Sequence, residues 1–220
     1  MLGLLGLGSY TTTFYIKELN RLFQTKNKGF STLPFKMLNT DFNKINPFLP
    51  DNFDKLTPVI AHYIMQLNSL DVDQIIVPNI TLHQTIDQAN LPIDVINKLI
   101  HPADISVAEL KRFGVRKAVV FGSKYTMNSE YVSNKFKIAG IDIIKPRLQD
   151  AEKIDLIRKR VYDDGKTNLL LNQIQQIADG YSDTPILLAC TELSLLKSAI
   201  PQSFDMVQLQ IQTAIKYYSV

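Results

Sequence analysis

The chain has 220 residues, 45% of them hydrophobic and 20% charged, with one cysteine and no tryptophan. That length buries a core without disulfide staples, in one larger domain or two of about 100 residues, while a net charge of +3, spread along the chain, gives no ground for a nucleic-acid partner. A lone cysteine rules out an intramolecular disulfide framework and suits a reducing compartment, and no apolar run approaches the ~18 residues of a membrane helix.

Met1-Leu2-Gly3-Leu4-Leu5-Gly6 has no positive charge before it and reads as a buried strand rather than a signal peptide, with Leu2 to Leu7 as the first apolar run. A loop rich in glycine and hydroxyls, Gly8 to Thr13, leads into a helix over Phe14 to Phe23. A strand near Leu33 to Leu38 follows, and the Pro-rich stretch Asn46 to Pro58 reads as an irregular surface loop. Thr57 to Leu70 has Val59, Ile60, Tyr63, Ile64 and Leu67 at helical spacing. Asp73 to Pro78 is a strand, and Thr81 to Ala89 a helix. Then Ala118 to Gly122 reads as a strand, Ser123 to Met127 as its loop, Asn128 to Ala139 as a helix and Ile141 to Lys145 as a strand. Helices over Lys153 to Tyr162 and Asn168 to Ala178 precede a last strand, Ile186 to Ala189. The basic clusters Lys111-Arg112, Arg116-Lys117 and Arg158-Lys159-Arg160 read as solvated faces.

Short apolar runs alternating with helices imply βαβ units and a parallel sheet. The two halves share one order of strands, Gly–Ser loops and helices, so a duplicated α/β unit is the simplest account, with a site between two similar lobes. Ligands of such sheets bind beyond the carboxyl ends of the strands. Four of these ends carry polar residues, namely Ser9 with Tyr10, Asn79 with Thr81, Ser123 with Thr126, and Cys190 with Thr191. Each precedes a helix, where unpaired backbone N–H groups favour anions. A small carboxylate-bearing ligand fits. The loops match neither the phosphate-loop nor the dinucleotide pattern.

Cys190 ends the last strand and is followed by Thr191-Glu192-Leu193. A helix start favours its thiolate, with Glu192 as a proton relay or a helix cap; alternatively the thiol is a buried small hydrophobe. Asn79 holds the mirrored position in the first half and cannot act as a base. His83, one turn on, is a candidate proton carrier or a structural pin for the loop, whereas His62 and His101 have no comparable context. Lys166, in the turn Asp163-Asp164-Gly165-Lys166, could reach a ligand's side chain or be an ordinary surface lysine. No metal-ligand spacing occurs, and no metal is expected.

Together these segments resemble the aspartate/glutamate racemase superfamily. Leu4-Leu5-Gly6-Leu7-Gly8-Ser9-Tyr10 with Thr13 and Tyr15 is similar to its LGGMS[WY]xST opening, and Ile76-Val77-Pro78-Asn79-Ile80-Thr81-Leu82-His83 to its IPCNTAH segment. Phe121-Gly122-Ser123-Lys124-Tyr125-Thr126-Met127 resembles LGTxxTM, and Ala189-Cys190-Thr191-Glu192-Leu193 resembles GCTEL, with Glu192 pointing to the aspartate racemase branch.

The resemblance implies an α/β fold of two pseudo-symmetric domains, each a mostly four-stranded parallel sheet flanked by helices, with the active site between them. The first domain would span residues 1–97 plus about 206–220, and the second 98–205. A homodimer, no cofactor, and a small amino acid or dicarboxylic acid as ligand are further implications; the lone cysteine, the modest charge and the short apolar runs add a cytoplasmic location with no nucleic-acid or membrane partner as expectations. Two cysteines flank the substrate in this family; Cys190 matches the second. Ser9, Tyr10, Thr81, Ser123, Thr126 and Thr191 match or adjoin positions that hold the α-carboxylate and amine, and Lys166 matches a lysine for the distal carboxylate. Asn79 stands where the family carries its first cysteine, Ile80 where it carries asparagine, and Leu7-Gly8 where it carries Gly-Met. An alignment slid by one residue makes Asn79 that amide. The family's arginine after Asp41-Phe42 has no clear equivalent in Lys44 to Lys55. Three functions follow as expectations: a cofactor-independent isomerase of an acidic amino acid with Cys190 as the retained thiol, a one-cysteine decarboxylase, or a small-acid-binding protein that has lost the reaction.

Overall fold

β1, Leu2–Leu7, is buried at every position, as a strand is only at the centre of a sheet covered on both faces. It pairs in parallel with β2, Phe35–Thr40, on one side and with β3, Gln74–Ile76, on the other. The crossovers carry α1, Ser9–Asn27, and α2, Phe53–Asn68. The computed structural model describes residues 1–49 and 52–218.

α2 overturns part of the expected loop over Asn46 to Pro58. Pro47 lies in a 3₁₀ turn, Asn46–Phe48, and Pro58 lies inside the helix. A proline there costs about 3 kcal/mol. Leu56, Ile60, Ile64 and Leu67 are fully buried along one stripe of that helix, each worth about 1.5–3 kcal/mol. The apolar stripe therefore outweighs the proline, whose ring sits on the exposed side. Val59 and Tyr63 flank the stripe and are half-buried.

After β3 come α3, Leu82–Gln88, and α4, Ile93–Ile96. A single parallel bridge then joins Ile75 to Leu99, with Ile75 N–H donating to Lys98 O at 2.7 Å and Ile100 N–H to Ile75 O at 2.9 Å. Next follow α5, Pro102–Arg112, β4, Lys117–Gly122, α6, Lys124–Asn128, and α7, Glu130–Ile138. β5, Asp142–Ile144, leads to α8, Leu148–Asp164, and α9, Asn168–Asp179. β6, Ile186–Ala189, then α10, Thr191–Ser194, β7, Phe204–Asp205, and α11, Met206–Tyr218, complete the order. The expected loop over Ser123 to Met127 is mostly α6, because the Ser123 hydroxyl caps a short helix.

The second sheet runs β5-β4-β6-β7 and the first β2-β1-β3, all parallel. The same internal order recurs, central strand first, as a duplicated unit requires. Mostly four-stranded sheets are the expectation. Among the described residues the first has three, and its fourth position shrinks to the bridge at Leu99.

The chain divides into two compact units, Met1–His101 with Gln210–Val220, and Pro102–Leu209. In the first, Tyr15 Oη donates to Gln210 Oε1 at 2.8 Å and Gln210 Nε2 donates to Ile100 O at 2.6 Å. Gln210 is buried. This polar link ties α1 and α11 to the segment after the bridge, and is stable because both ends of the amide are satisfied. No helix among the described residues is long and apolar enough to cross a membrane.

Candidate active site

Gly122 and Ala189 face each other in register at the ends of β4 and β6, so Ser123 and Cys190 leave the second sheet side by side. Gly122 is glycine for a reason of space. A Cβ there would stand 3.2 Å from Thr126 Cβ and 3.3 Å from Ala189 O. The Ser123 hydroxyl accepts from Thr126 N–H at 3.1 Å and lies 2.9 Å from Thr126 Oγ1. Thr126 is buried, Ser123 half-buried.

Cys190 is the residue before α10 and is partly exposed. Its thiol donates to Glu192 Oε2 at 2.6 Å. Thr191 and Glu192 are both buried. Burial, then the charge and hydrogen bond of Glu192, push the Cys190 thiol well above its ordinary range. Burial first, and then the carboxylate two residues on, thus oppose the thiolate expected from a helix start. α10 is held from behind, since Ser194 Oγ donates to Asp205 Oδ1 at 2.7 Å and the same oxygen accepts from Val207 N–H and Gln208 N–H.

α8 packs against α10 and α6. On it, Asp155 accepts from Lys124 N–H at 3.1 Å and from Arg158 Nε at 3.1 Å, with Lys159 Nζ at 2.9 Å. Burial opposes the charge of Arg158, yet Cys190, Asp155 and Glu192 together raise its pKa. Burial likewise opposes the charge of Asp155, but Lys159, Lys124 N–H and Arg158 more than offset it and hold the carboxyl below the usual range. Arg158 is thus not part of a solvated face. The signal was readable: Ala151, Ile154, Asp155 and Val161 are buried on one side of α8, and residue 158 falls on that side at helical spacing.

Lys166 is exposed, and its ammonium donates to Ser198 Oγ at 3.1 Å. Ser198 lies in the 3₁₀ turn Lys197–Ala199.

At the end of the first sheet, Thr40 Oγ1 donates to Gly6 O at 2.9 Å, and a Cβ on Gly6 would meet Asn39 Oδ1 at 2.4 Å. Leu7 N–H donates to Thr12 Oγ1 at 2.9 Å. Ser9 is exposed, and Tyr10 and Thr81 are half-buried. Asn79 Oδ1 accepts from Leu82 N–H at 3.1 Å, and Asn79 O lies 2.9 Å from His83 Nδ1. His83 is almost wholly buried, at 1% exposure. It pins the loop by that contact, which requires the Nδ1–H tautomer. His101, without context in the sequence, proves to be its neighbour: the rings meet edge to face at 4.7 Å between centroids, and His101 Nε2 lies 3.4 Å from Asp87 Oδ1.

Among the described residues no three or more His, Cys, Asp or Glu side chains group as metal ligands. The Asp/Glu/Hydantoin racemase family model matches residues 4–214. The fold is similar to that of a candidate Asp/Glu racemase from Yersinia pestis, with a TM-score of 0.81, 21% identity, and coverage of 98% of this chain and 97% of that one. An aspartate racemase homologue from Pyrococcus horikoshii OT3 gives a TM-score of 0.80 at 18% identity, over 98% and 97% of the chains. Picrophilus torridus aspartate racemase gives 0.75 at 16% identity, over 98% and 93%. These identities speak to fold alone. No protein curated for function matches the sequence.

Proposed function

This chain is a member of the Asp/Glu/Hydantoin racemase family, and from that premise we propose that it is an isomerase of aspartate, glutamate or a similar small acid, with Cys190 as its working acid–base group. The observation that carries this reading is the thiol of Cys190, at the carboxyl end of β6, donating to Glu192 at 2.6 Å. A thiol paired with a carboxylate is a proton relay: Glu192 takes the S–H proton, and the thiolate takes the α-proton of the substrate. The carbanion is then reprotonated by a solvent proton, because Asn79 brings no exchangeable acid and His83 Nδ1 is committed to Asn79 O. Thr191, Thr126 and Ser123 are assigned to the α-carboxylate and amine. Lys166 exchanges the Ser198 hydroxyl for a second carboxylate. The reading extends to a cytoplasmic homodimer that needs no cofactor, as the family pattern implies.

Incubation with L- and D-aspartate and glutamate in D₂O tests this. Deuterium is expected at Cα with the wild type and not with Cys190→Ala; if none appears with the wild type, the proposal is wrong. A second reading gains from the same hydrogen bond, since a thiol held protonated is an acid ready for a carbanion. Loss of CO₂ from a substituted malonate would generate that carbanion, and Cys190 would protonate it. CO₂ release from a malonate panel, abolished in Cys190→Ala, distinguishes this reaction from isomerisation.

A further inference from the structure

We propose that Arg158 is a positioning residue of this site: a guanidinium anchored by Asp155 that carries the counter-charge for the one negative charge shared by Cys190 Sγ and Glu192. The inference rests on the isomerase reading for its purpose, though not for its test. Three geometric observations carry it, and an electrostatic one agrees. α8 packs directly on α10. Arg158 is held in place from its own helix, with Nε on Asp155 Oδ1 at 3.1 Å, and that same carboxylate is fixed by the N–H of Lys124, the first residue of α6. Its side chain is 21% exposed, against 60% for Lys159 on the same carboxylate, so its charge is screened far less than a surface charge. That charge acts on both Cys190 and Glu192.

The chemistry needs such a group. When the S–H bond of Cys190 breaks and an O–H bond forms on Glu192, no net charge is created; one negative charge moves across 2.6 Å from oxygen to sulfur. A fixed cation on the adjoining helix, acting on both groups, keeps that charge stabilised by protein at either end. Without it, only the Glu192 backbone N–H would be left to offset the desolvation of the thiolate. Arginine suits the task better than lysine, because it stays ionised under burial and spreads its donors over a rigid fork. The other charged groups near the thiol do not replace it. Asp155 and Lys159 on α8 offset each other. Asp205, reached through Ser194 from β7, has Lys197 acting on it.

Cys190 is the only cysteine of the chain, so alkylation by iodoacetamide across a pH series reads that thiol alone, without substrate. Arg158→Gln is expected to move the midpoint up by at least about one unit, so that about tenfold less thiolate is present at a given pH below it. Arg158→Lys should recover most of the shift, and Lys159→Gln, which removes an equal charge on the exposed side, should leave the midpoint in place. Arg158→Met keeps the aliphatic stem and gives the same reading if the glutamine variant melts early. An unmoved midpoint in the folded Arg158→Gln or Arg158→Met variant overturns the proposal, as does an equal shift in Lys159→Gln. A raised KM with an unmoved midpoint also overturns it, and assigns Arg158 to the substrate's carboxylate instead. A shifted midpoint without deuterium exchange leaves this inference standing and removes the isomerase reading. Exchange with an unshifted midpoint does the reverse.

Discussion

Replacing Glu192 by glutamine separates the amount of thiolate from the rate of proton transfer, and the two should move in opposite directions. Glu192 raises the Cys190 pKa twice over, after burial itself: by its charge and by accepting the S–H proton. Glutamine removes the charge, while its carbonyl can still accept from the thiol. Two unit charges about 4 Å apart interact by about 4 kcal/mol at an effective dielectric constant near 20. Arg158 offsets part of that repulsion, so a fall of at least about one unit in the thiol pKa is a conservative expectation. A less basic thiolate is also a weaker nucleophile, with a Brønsted slope of about 0.4–0.5. Alkylation well below the midpoint should therefore quicken only about threefold per unit, while the midpoint reports the full shift. Cα deuterium exchange, in contrast, should slow by about 10²–10⁴-fold, because the acceptor of the S–H proton is gone. Stopped-flow alkylation from pH 6 to 11 and NMR of the exchanging Cα proton measure the two arms. An Oε2 contact with no electrostatic consequence would leave the midpoint where it was, or raise it, and that result refutes the reasoning.

Asn79→Cys should increase exchange by restoring a second thiol, at a cost of about 1 kcal/mol from the lost acceptor for Leu82 N–H; NMR exchange and a melting curve read both, and an intact fold with no gain would show that the first rim has diverged beyond this residue. Lys166→Ala should raise KM for a dicarboxylic substrate about two- to fivefold with kcat nearly unchanged, the size expected of an exposed charge pair, and leave a monocarboxylic analogue unaffected. Burial raises the carboxyl of Asp205 above its ordinary 3.8, against the hydrogen bonds from Ser194 and the backbone. The folded state then binds a proton that the unfolded state has released, so this group's share of stability is full below about pH 4 and is lost as pH rises through the folded value. Asp205→Asn should flatten that slope, which melting curves between pH 4 and 7 would show.

The sequence marked the rims better than the edges. β1 and β6 were legible to the residue, because a strand buried on both faces reads as an unbroken apolar run. The two-residue β7 was not: its neighbour β6 supplies the pairing, and Phe204-Asp205 alone carries no period. α11 was missed as well, and its buried Gln210 explains part of the difficulty, since a polar residue on the core face breaks the hydrophobic pattern. Within the candidate site, Cys190 and Glu192 stand two residues apart in the sequence, but the thiol's protonation depends on a distance and a burial that no spacing encodes. Arg158 was hidden by its flanks. Lys159 and Arg160 are exposed, and a run of three basic residues was read by its majority rather than by the helical face of its first member.

The two rims illustrate why a duplicated sheet can change its chemistry without changing its fold. Inward positions such as Leu4, Leu5 and Val119, Val120 are buried on both halves, and each loses about 0.8 kcal/mol for every methylene removed, so packing holds them. The residues beyond the strand ends answer to local bonds instead. Asn79 makes two at once, accepting Leu82 N–H and presenting its carbonyl to His83; a cysteine there would keep the carbonyl contact and give up the amide one. The Cys190 thiol donates to the Glu192 carboxylate, and its turn is held by Ser194 on Asp205. The first rim thus uses its polar residue to build a loop, whereas the second builds its loop elsewhere and leaves the sulfur free to carry a proton. On the proposed isomerase reading, one-sided chemistry would follow, with sulfur, carboxylate and guanidinium gathered in the second unit and solvent left to supply the other proton.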